Sequence, residues 1–554
     1  MTDRTGADVV HDALRDAGVE LLVGLPGTQT LALDRVVADR DELTYVMARH
    51  ETAIPHVAWG YYEATGRPAA TLTVPGPGDT NAMHGLQNAH EDCVPILHVS
   101  ADVAPEHRGK GPIHELDPGT FDAVVKENVT VERAVDLPSA VAAGIETALT
   151  EPYGPVRLGV PASLLAADVG DAPDATVDPE TRTYDNAAAD AAARTLLEDA
   201  ERPLVYAGGG ARRSAGGAEA VRALADALDA PVLTSYKGKG VFPEDDPRCL
   251  GVTGSHTPAG AVAALDAADV VLALGTDFDG VATDGWSLPM GDSLVHVTLA
   301  LSDVDAAYDA DVAVVDDVAA AADRLLDGLD SGGTWDGERV GRDVRAEYER
   351  HLADADLLDP ERAPATTPAL LRAVRDVTPR DVPVTTDVGG FRLWSMQLFD
   401  AHTPKTFVTA GSWAGMGVGL PAAIGAAAGR DGPVLCLTGD GGLMMCVHEL
   451  HTLAEADLNV TVVVSNNADY GVISKSPAIR DAEEGAFAWD AADFATVAEG
   501  MGVRATSVDT ASDAADAVAA ALARDGPDLV DVTVDPDEPS AAAASEYESD
   551  LDRA

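Results

Sequence analysis

Cysteine is scarce in this chain of 554 residues. Its four cysteines (Cys93, Cys249, Cys436 and Cys446) are scattered along the sequence, and none belongs to a CxxC pair. This pattern argues against a disulfide framework and a cysteine zinc site, and it predicts a protein of the reducing cytoplasm. Long apolar runs are also missing: none approaches the ~20 residues of a membrane-spanning helix, so we expect no membrane span. The polar, amphipathic N-terminus lacks the apolar segment of a signal peptide, so we expect none.

Basic residues are the second shortage. The chain has 37 Lys and Arg against 93 Asp and Glu, a formal net charge of −56. Such a charge repels nucleic acids and anionic membranes, so we expect neither as a partner. The acids are dispersed along the chain, which favours a solvation role typical of halophilic proteins over a partner-binding acidic surface. We therefore expect self-repulsion to impair folding at low salt.

Short apolar runs alternate with Ala-rich amphipathic stretches along the whole sequence. Runs such as "PLVYAGGG", "VVLALGT" and "PVLCLTGDG" end in Gly, Thr or Asp and lead toward a helical pattern, which predicts buried parallel strands flanked by helices. Two acidic stretches that contain Pro and Gly, near residues 168–186 and 330–365, are predicted to be linkers. The sequence therefore predicts an α/β fold of three doubly wound parallel-sheet domains, at residues 1–168, 186–330 and 365–540. Ligand sites in such sheets lie at the carboxyl ends of the strands.

One strand exit carries the clearest chemical signal. The run "PVLCL" is followed by "TGDGG" and a helix, and the next predicted strand, "VTVVVSNN", ends in two asparagines. Neighbouring parallel strands end at the same sheet edge, so Asp440 and Asn467 should project together. Their oxygens suit Mg²⁺, which often shares phosphate oxygens, and Gly441 and Gly442 let the backbone approach a phosphate. Taken singly, each part also fits a structural role, with Asp440 as a helix N-cap and the asparagines in a turn.

The combination of GDG, 24 intervening residues and NN resembles the diphosphate-binding motif of thiamine-diphosphate (ThDP) enzymes. Further stretches extend the resemblance over nearly the whole chain: "GLPGTQTLAL", "ARHETAIPHVAWGYYEATGRPA", "PGPGDTNAMHGLQNAHEDCVPILHVSAD", "GKGVFPEDDPRCLG", "TDVGGFRLW" and "GMGVGLPAAIGAA". They are similar to the ThDP-dependent decarboxylases and carboligases, the family of the acetolactate synthase large subunit. The resemblance implies a pyrimidine-binding, a central and a diphosphate-binding domain, in the order of the three predicted units.

The resemblance also implies positions around the cofactor. Asp440, Asn467 and the backbone carbonyl of Asp469 would ligate Mg²⁺. Met416, in "GMGVGLP", stands where the family has the bulky residue that bends the cofactor into a V, although a Met is equally suited to filling a core. The remaining positions implied to bind the cofactor are Gly27, Glu51, Val388, Gly389, Gly390, Gly439, Gly441, Gly442, Gly471 and Val472.

Glu51 is the catalytic carboxylate that the "RHE" context of the family implies. Read alone, an acid at this place is a helix N-terminal residue favoured by the helix dipole. In the family, a carboxyl group bound to the pyrimidine ring favours its imino tautomer, and the cofactor's own nitrogen then removes the C2 proton. The implied reaction is decarboxylation of a 2-oxo acid, followed by protonation or by attack on a second carbonyl. The resemblance also implies that Glu51 and the metal site meet from different subunits, with a homodimer as the minimal unit and a tetramer common.

The substrate side departs from the family. Acetolactate synthases carry Phe-Gln-Glu at about the position of "IHE", so His114 is either a proton relay or a structural histidine. They also have a Trp-containing stretch after the Asn pair, whereas this chain has "ADYGVISKSPAIRDAEEG". Acetolactate synthase-like carboligation is the leading interpretation, and a simple decarboxylase of another 2-oxo acid or of an acyl-CoA stays open. Intact Glu51, Asp440 and Asn467 disfavour a third reading, a non-catalytic ThDP-binding subunit. A small regulatory chain as a partner stays open.

The central unit raises the question of FAD, because acetolactate synthases bind a non-redox FAD there. Gly208–Gly210 follow a predicted strand and could approach a pyrophosphate, although the full GxGxxG pattern is missing. In "GTDFDGVATDG", Asp277 stands where the family has an Arg, and its charge would repel a diphosphate. FAD binding therefore stays open on the sequence.

Overall fold

The computed structural model describes residues 4–169, 177–179, 184–329, 333–476 and 487–551. Within them the chain forms three six-stranded sheets, in which neighbouring strands run parallel. Helices flank each sheet, so the predicted α/β fold class is confirmed. Each predicted domain range contains one sheet; the boundaries themselves stay predictions.

The first sheet is built from residues 21–159. Its strands are β1 (Leu21–Gly24), β2 (Thr44–Met47), β3 (Ala69–Thr73), β4 (Ile96–Ser100), β5 (Glu127–Thr130) and β6 (Val156–Gly159), in the order β2-β1-β3-β4-β6-β5. Its helices are α1 (Gly6–Asp16), α2 (Leu31–Asp39), α3 (Ala53–Thr65), α4 (Pro77–Glu91), α5 (Leu137–Leu149) and α6 (Ala162–Leu165). The inner strands β3 and β4 are buried throughout, whereas the edge strand β5 is polar and partly exposed. A polar edge protects the sheet against pairing with another chain.

The second sheet is built from residues 203–315. Its strands are β7 (Pro203–Ala207), β8 (Val232–Thr234), β9 (Cys249–Val252), β10 (Val270–Leu274), β11 (Ser293–Thr298) and β12 (Val312–Val315), in the order β12-β11-β10-β7-β8-β9. Its helices are α7 (Ala187–Asp199), α8 (Gly209–Arg213), α9 (Gly217–Leu228), α10 (Ala259–Ala267), α11 (Val318–Leu326) and α12 (Gly337–Asp354). The central pair β7 and β10 is fully buried, as expected for parallel strands covered on both faces.

The third sheet is built from residues 384–533. Its strands are β13 (Val384–Thr386), β14 (Phe407–Val408), β15 (Val434–Gly439), β16 (Val460–Asn466), β17 (Arg504–Val508) and β18 (Asp528–Thr533), in the order β14-β13-β15-β16-β18-β17. Its helices are α13 (Thr367–Val377), α14 (Gly390–Leu398), α15 (Gly419–Gly429), α16 (Asp440–Cys446), α17 (Leu450–Glu455), α18 (Gly471–Ser474), α19 (Phe494–Gly500) and α20 (Ala511–Leu522). None of the helices in the described ranges combines the length and apolarity needed to cross a bilayer.

Helix α12 lies inside the stretch predicted to be the second linker. Asp336 caps it, because its side chain accepts a hydrogen bond from the backbone N–H of Arg339 at 2.9 Å. Its buried stripe includes Val340, Val344 and Leu352. Acidic and basic residues make up about half of the helix, so the composition hid the helical period. The first predicted linker lies partly outside the described residues.

Helix α3 of the first domain and helix α15 of the third domain pack against each other at a very short distance. A Cβ atom on Gly60 of α3 would lie 2.4 Å from the Cα of Ala422 in α15, and one on Gly425 would lie 1.9 Å from the backbone oxygen of Val57. Real Cβ atoms do not come so close to backbone, so the two glycines set the separation of the helices. One continuous apolar core runs through this contact and includes both sheets.

We expect Gly425→Ala to destabilise the protein by about 1–3 kcal/mol through overpacking. This loss should appear although alanine favours a helix interior over glycine by about 1 kcal/mol. The measurement is thermal or denaturant unfolding at high salt. Gly500→Ala is the matched control, because its Cβ would meet no heavy atom within 4 Å. Equal stability of the Gly425 variant and the wild type would show that the helices can separate without cost.

Candidate functional site

Asp440 connects the exits of two neighbouring strands. The register pairs Gly439 of β15 with Ser465 of β16, so the residues that follow lie side by side. One carboxylate oxygen of Asp440 accepts from the backbone N–H of Gly441 at 2.9 Å, and the other accepts from that of Ala468 at 2.7 Å. Ala468 directly follows Asn467, so the carboxylate and the amide lie at one sheet edge.

The Asp440 carboxylate is only 3% exposed and has no cationic partner within 4.0 Å among the described residues. Burial raises its pKa to about 6, although backbone hydrogen bonds oppose that rise. Nearby Asp469 raises the pKa further. A buried carboxylate without a cationic partner is stabilised when a cation binds to it, so this position fits a divalent metal ion.

The two asparagines after β16 have different roles. Asn466 is buried and donates to the Asp531 carboxylate at 3.0 Å and to the backbone oxygen of Ala492 at 3.2 Å. Asn467 is only half-buried, and its side-chain oxygen accepts from the backbone N–H of Asp469 at 3.2 Å. The structure thus favours Asn467, not Asn466, as a residue that could bind a ligand.

Asp469 offers its backbone to the site, since its side chain is engaged elsewhere. Its carboxylate accepts a 2.6 Å hydrogen bond from the hydroxyl of Ser474. The described ranges hold no group of three or more His, Cys, Asp or Glu side chains able to bind a metal. Besides the Asp440 carboxylate, a metal here would therefore depend on amide and carbonyl oxygens and on the phosphates of a ligand.

The glycines of this edge are packed so closely against other residues that a side chain would have little or no room. A Cβ on Gly441 would lie 2.9 Å from the ring of Tyr470, and one on Gly442 would lie 2.8 Å from the carboxyl carbon of Asp387. A Cβ on Gly439 would lie 3.2 Å from the ring of Phe391. Packing therefore favours glycine at these positions, and it leaves the backbone at the start of α16 without side chains.

The other predicted diphosphate residues meet at the same edge. A Cβ on Gly471 would lie 3.1 Å from the side-chain nitrogen of Asn467, and one on Gly390 would lie 3.7 Å from the Val472 side chain. Val388 and Gly389 lead into α14, which begins at Gly390. The structure therefore brings the strand exits of β13, β15 and β16 together, as the resemblance implied.

Asp387 holds these loops in place, and sequence reasoning missed it. It is fully buried, and one of its oxygens accepts from the backbone N–H groups of Val388 at 2.7 Å and Gly417 at 2.8 Å. Its other oxygen accepts from the hydroxyl of Thr438 at 3.3 Å. Burial raises its pKa, and these backbone hydrogen bonds oppose the rise. The only sequence signal was an acid directly after a strand, in "TDVGG".

Met416 reaches the bare backbone of the glycines. Its terminal methyl lies 3.3 Å from the place of a Cβ on Gly441. The loop before it rests on α4, because the indole N–H of Trp413 donates to His84 at 2.9 Å. A Cβ on Gly415 would lie 1.9 Å from the His84 ring, so a side chain there would have to displace that ring. The first domain thus helps to position Met416.

Glu51 lies in the first domain, just before α3. Its carboxylate accepts a 3.0 Å hydrogen bond from the side-chain amide of Asn81. A Cβ on Gly78 would lie 3.3 Å from the other carboxylate oxygen and 2.8 Å from Val74, and one on Gly27 would lie 2.2 Å from Val74. Gly27 and Glu51 therefore belong to one wall, at the carboxyl end of the first sheet.

His114 belongs to the wall of Glu51, not to the strand exits of the third sheet. Its backbone oxygen lies 2.7 Å from the place of a Cβ on Gly76, two residues before Gly78. Its ring nitrogen lies 3.3 Å from the side-chain amide of Gln29. Its φ of 65° is unusual for a residue with a side chain. The next residue toward the N-terminus, Ile113, is 72% exposed.

A tryptophan lies beside the Asn pair, although the stretch that directly follows the pair has none. Trp489 returns from further along the chain, and its backbone N–H donates to the oxygen of Ala468 at 2.9 Å. Its ring contacts Tyr470 edge-on, with centroids 4.8 Å apart. Sequence reasoning searched only the residues immediately after Asn467 and could not see this return.

The predicted site residues form two separate walls, with Glu51 and His114 on one and Asp440 and Asn467 on the other. No hydrogen bond joins Glu51 to Asp440 or Asn467 in the part of the chain that the structure describes. Large apolar side chains are exposed near both walls: Ile113, Trp413, Met444, Met445, Tyr470, Val472 and Ile473. Such exposure is typical of a surface that another molecule covers.

The cavity at the strand ends of the central sheet does not fit the diphosphate of FAD. It measures about 290 Å³, and its lining has seven acidic residues against two basic ones, Arg213 and Lys237. Burial and the neighbouring Asp279 raise the pKa of Asp277. The glycines after β7 have a packing role, since a Cβ on Gly208 would lie 2.4 Å from the backbone oxygen of Gly275.

We expect Asp387→Ala to weaken ThDP binding at least ~10-fold, because it leaves two buried N–H groups unsatisfied at about 1–3 kcal/mol each. Asp387→Asn is the matched control, since its side-chain oxygen can still accept from Val388 and Gly417. Calorimetric titration of ThDP in the presence of Mg²⁺ measures the effect. Equal losses in both variants would assign the effect to charge and not to loop position.

Comparison with known proteins links these walls to a family. Three domain models match the chain: the N-terminal thiamine pyrophosphate (ThDP) binding domain at residues 4–121, the thiamine pyrophosphate enzyme central domain at 191–325, and the C-terminal binding domain at 387–532. The chain is 30% identical to the acetolactate synthase isozyme 2 large subunit of Escherichia coli, over 96% of this chain and 95% of that protein. It is 29% identical to the probable acetolactate synthase large subunit of Methanocaldococcus jannaschii, over 96% and 92%.

Proposed function

Because the chain belongs to the thiamine pyrophosphate enzyme family of the acetolactate synthase large subunits, we propose that it decarboxylates a 2-oxo acid and transfers the remaining acyl unit to a second carbonyl. It is a ThDP-dependent enzyme of the acetolactate synthase type. The observation that carries the proposal is the buried Asp440 carboxylate, bound across two strand exits to the residue after Asn467.

We assign the metal and diphosphate site to the third domain. Asp440, Asn467 and the backbone carbonyl of Asp469 would hold Mg²⁺. The bare backbone of Gly439, Gly441 and Gly442 would lie against the diphosphate. Gly471, Val472 and residues 388–390 would close the same edge. Met416 would support the bent cofactor, since its methyl group already lies against Gly441.

We assign the proton chemistry to the first domain. When bound, ThDP supplies the electron sink that stabilises the carbanion left by loss of carbon dioxide. Glu51 would hold a proton against the pyrimidine ring and so fix the tautomer that the reaction needs. Asn81 positions this carboxyl group by a 3.0 Å hydrogen bond. Gly27 gives the ring access to the same wall.

The two walls point to a homo-oligomer. Glu51 and Asp440 share no hydrogen bond within the described part of one chain, and exposed apolar side chains surround both walls. We propose a homodimer in which Glu51 of one chain faces Asp440 of its partner, with a tetramer as the larger form. The relatives are named large subunits, which supports a smaller regulatory partner as a further proposal.

The substrate side keeps a second candidate, a non-oxidative decarboxylase of another 2-oxo acid. His114 favours it, because this residue offers a titratable group on the Glu51 wall where acetolactate synthases have Gln. Trp489 favours carboligation, since it restores an indole beside Tyr470. The lining of the central cavity gives FAD no support in either case.

We expect Glu51→Gln to bind ThDP and Mg²⁺ but to lose at least ~10²-fold in turnover, the usual scale of an acid–base role. Asp440→Asn should lose Mg²⁺-dependent ThDP binding instead. Carbon dioxide release and calorimetric titration at high salt separate the two effects. Glu132→Gln, at an exposed position, is the control. Normal turnover by Glu51→Gln would remove this residue from the mechanism.

With pyruvate, ThDP and Mg²⁺ at high salt, we expect the wild type to form acetolactate. The product is measured directly, beside carbon dioxide release from a panel of 2-oxo acids. Carbon dioxide release with only an aldehyde product would favour the simple decarboxylase. No release from any 2-oxo acid, together with intact ThDP binding, would contradict the proposed substrate class.

A further inference from the structure

A small cavity lies where the three domains meet. It measures about 150 Å³ and is lined by residues of all three: Tyr62, Glu63, Gly66, Leu149, Tyr153, Arg212, Arg213 and Lys405. We call it the junction cavity. It lies away from both walls of the cofactor site, and it can hold several water-sized groups, since one water needs roughly 10–15 Å³ of such volume.

The charge of the junction cavity is the reverse of the charge of the chain. Three cationic side chains line it against one carboxylate, Glu63, whereas the whole chain has 37 basic and 93 acidic residues. Just outside, Lys237 pairs with Asp92 at 2.9 Å and with Glu63 at 3.2 Å, and Arg213 also borders the acidic central cavity. The lining itself has three cations and one carboxylate, an excess of positive charge.

Two of its cations have no carboxylate partner among the described residues. The ammonium group of Lys405 makes no hydrogen bond or ion pair there, and it lies 2.5 Å from the place of a Cβ on Gly66, at the end of α3. The Arg213 guanidinium reaches only the backbone oxygen of Asp92, at 3.3 Å. Burial and nearby Arg212 lower the pKa of Lys405. The helix end offers Lys405 some partial negative charge, but it offers Arg213 none.

Arg212, the third cation, pairs with a carboxylate but also has a hydrogen-bond donor without a partner among the described residues. Arg212 binds the Glu63 carboxylate through one terminal nitrogen, and the two side chains are 4% and 1% exposed. Within the described ranges, the Nε of Arg212 and the second oxygen of Glu63 are both buried and lack any hydrogen-bond partner. A buried donor left unsatisfied costs about 1–3 kcal/mol, so a bound group that accepts from Nε would stabilise the site.

We propose that the junction cavity binds a small oxyanion, either inorganic phosphate or a small dicarboxylate. Arg213, Lys405 and the Nε of Arg212 donate to it, and its charge balances the excess of the lining. Since Lys405 comes from the third domain and the two arginines from the second, the ion connects these domains against α3 of the first. This site is separate from the ThDP site, so the proposal does not depend on the proposed reaction.

The test is calorimetric titration of the full chain, loaded with ThDP and Mg²⁺ so that the diphosphate site is filled. Phosphate and malonate are titrated separately in KCl at constant ionic strength. We expect saturable binding of at least one of them, with one site per chain, weakened at least 10-fold by Lys405→Met and by Arg213→Met. Arg35→Met removes the same charge at an 84% exposed side chain and should leave binding unchanged.

Melting temperature provides a second readout that does not depend on binding heats. The favoured oxyanion should raise it in the wild type and in Arg35→Met but not in the two junction variants. Saturable binding that all variants share, or no saturable binding of either oxyanion, would overturn the proposal. Equal binding of chloride would also overturn it, since the cavity would then hold only an adventitious ion.

Discussion

The hydrogen bond from the backbone of Ala468 to the Asp440 carboxylate is the contact on which the candidate site depends. It joins the loop after β16 to the exit of β15, so the two loops cannot shift independently. Parallel strands supply the geometry, because their carboxyl ends meet at one edge of the sheet. Asp387 is a second buried carboxylate, and it accepts hydrogen bonds from the loop after β13 and from the loop before α15. Asp440 and Asp387 thus fix the positions of backbone segments that would otherwise be free to move.

Close packing of α3 and α15 is what relates the first domain to the third. Gly60 and Gly425 allow the helices to approach until backbone meets backbone. Helix α4 of the first domain also reaches the third domain, since His84 accepts a hydrogen bond from Trp413 in the loop of Met416. The first domain therefore acts on the cofactor site of its own chain through this loop. It also carries Glu51, which we assign to the site of the partner.

The fold class, and the proximity of Asp440 and Asn467 at one sheet edge, could be predicted because their signals are local. Buried strands of parallel sheets are short apolar runs, and the GDG and NN motifs follow two such runs directly. Asp387 could not be assigned, since an acid after a strand is also an ordinary helix cap. Trp489 could not be placed either, because no simple sequence pattern predicts its contact with Tyr470. Helix α12 was missed because charged residues outnumber its apolar stripe.

The two cavities could be predicted less well, because the residues that line them lie far apart in the sequence. The junction cavity draws its cations from residues 212, 213 and 405, which no spacing rule connects. The carboxylates of the central cavity were partly predictable, because Asp277 departs visibly from the family pattern. Their number was not, since they come from several strand exits.

Lys237 has a consequence for how the enzyme can move. Its ammonium group is buried and contacts Glu63 and Asp92 of the first domain and the backbone of Thr409 in the third. Moving the central domain away would break both buried ion pairs and the hydrogen bond to Thr409 at once. One buried ammonium group therefore fastens the central domain to both of its neighbours.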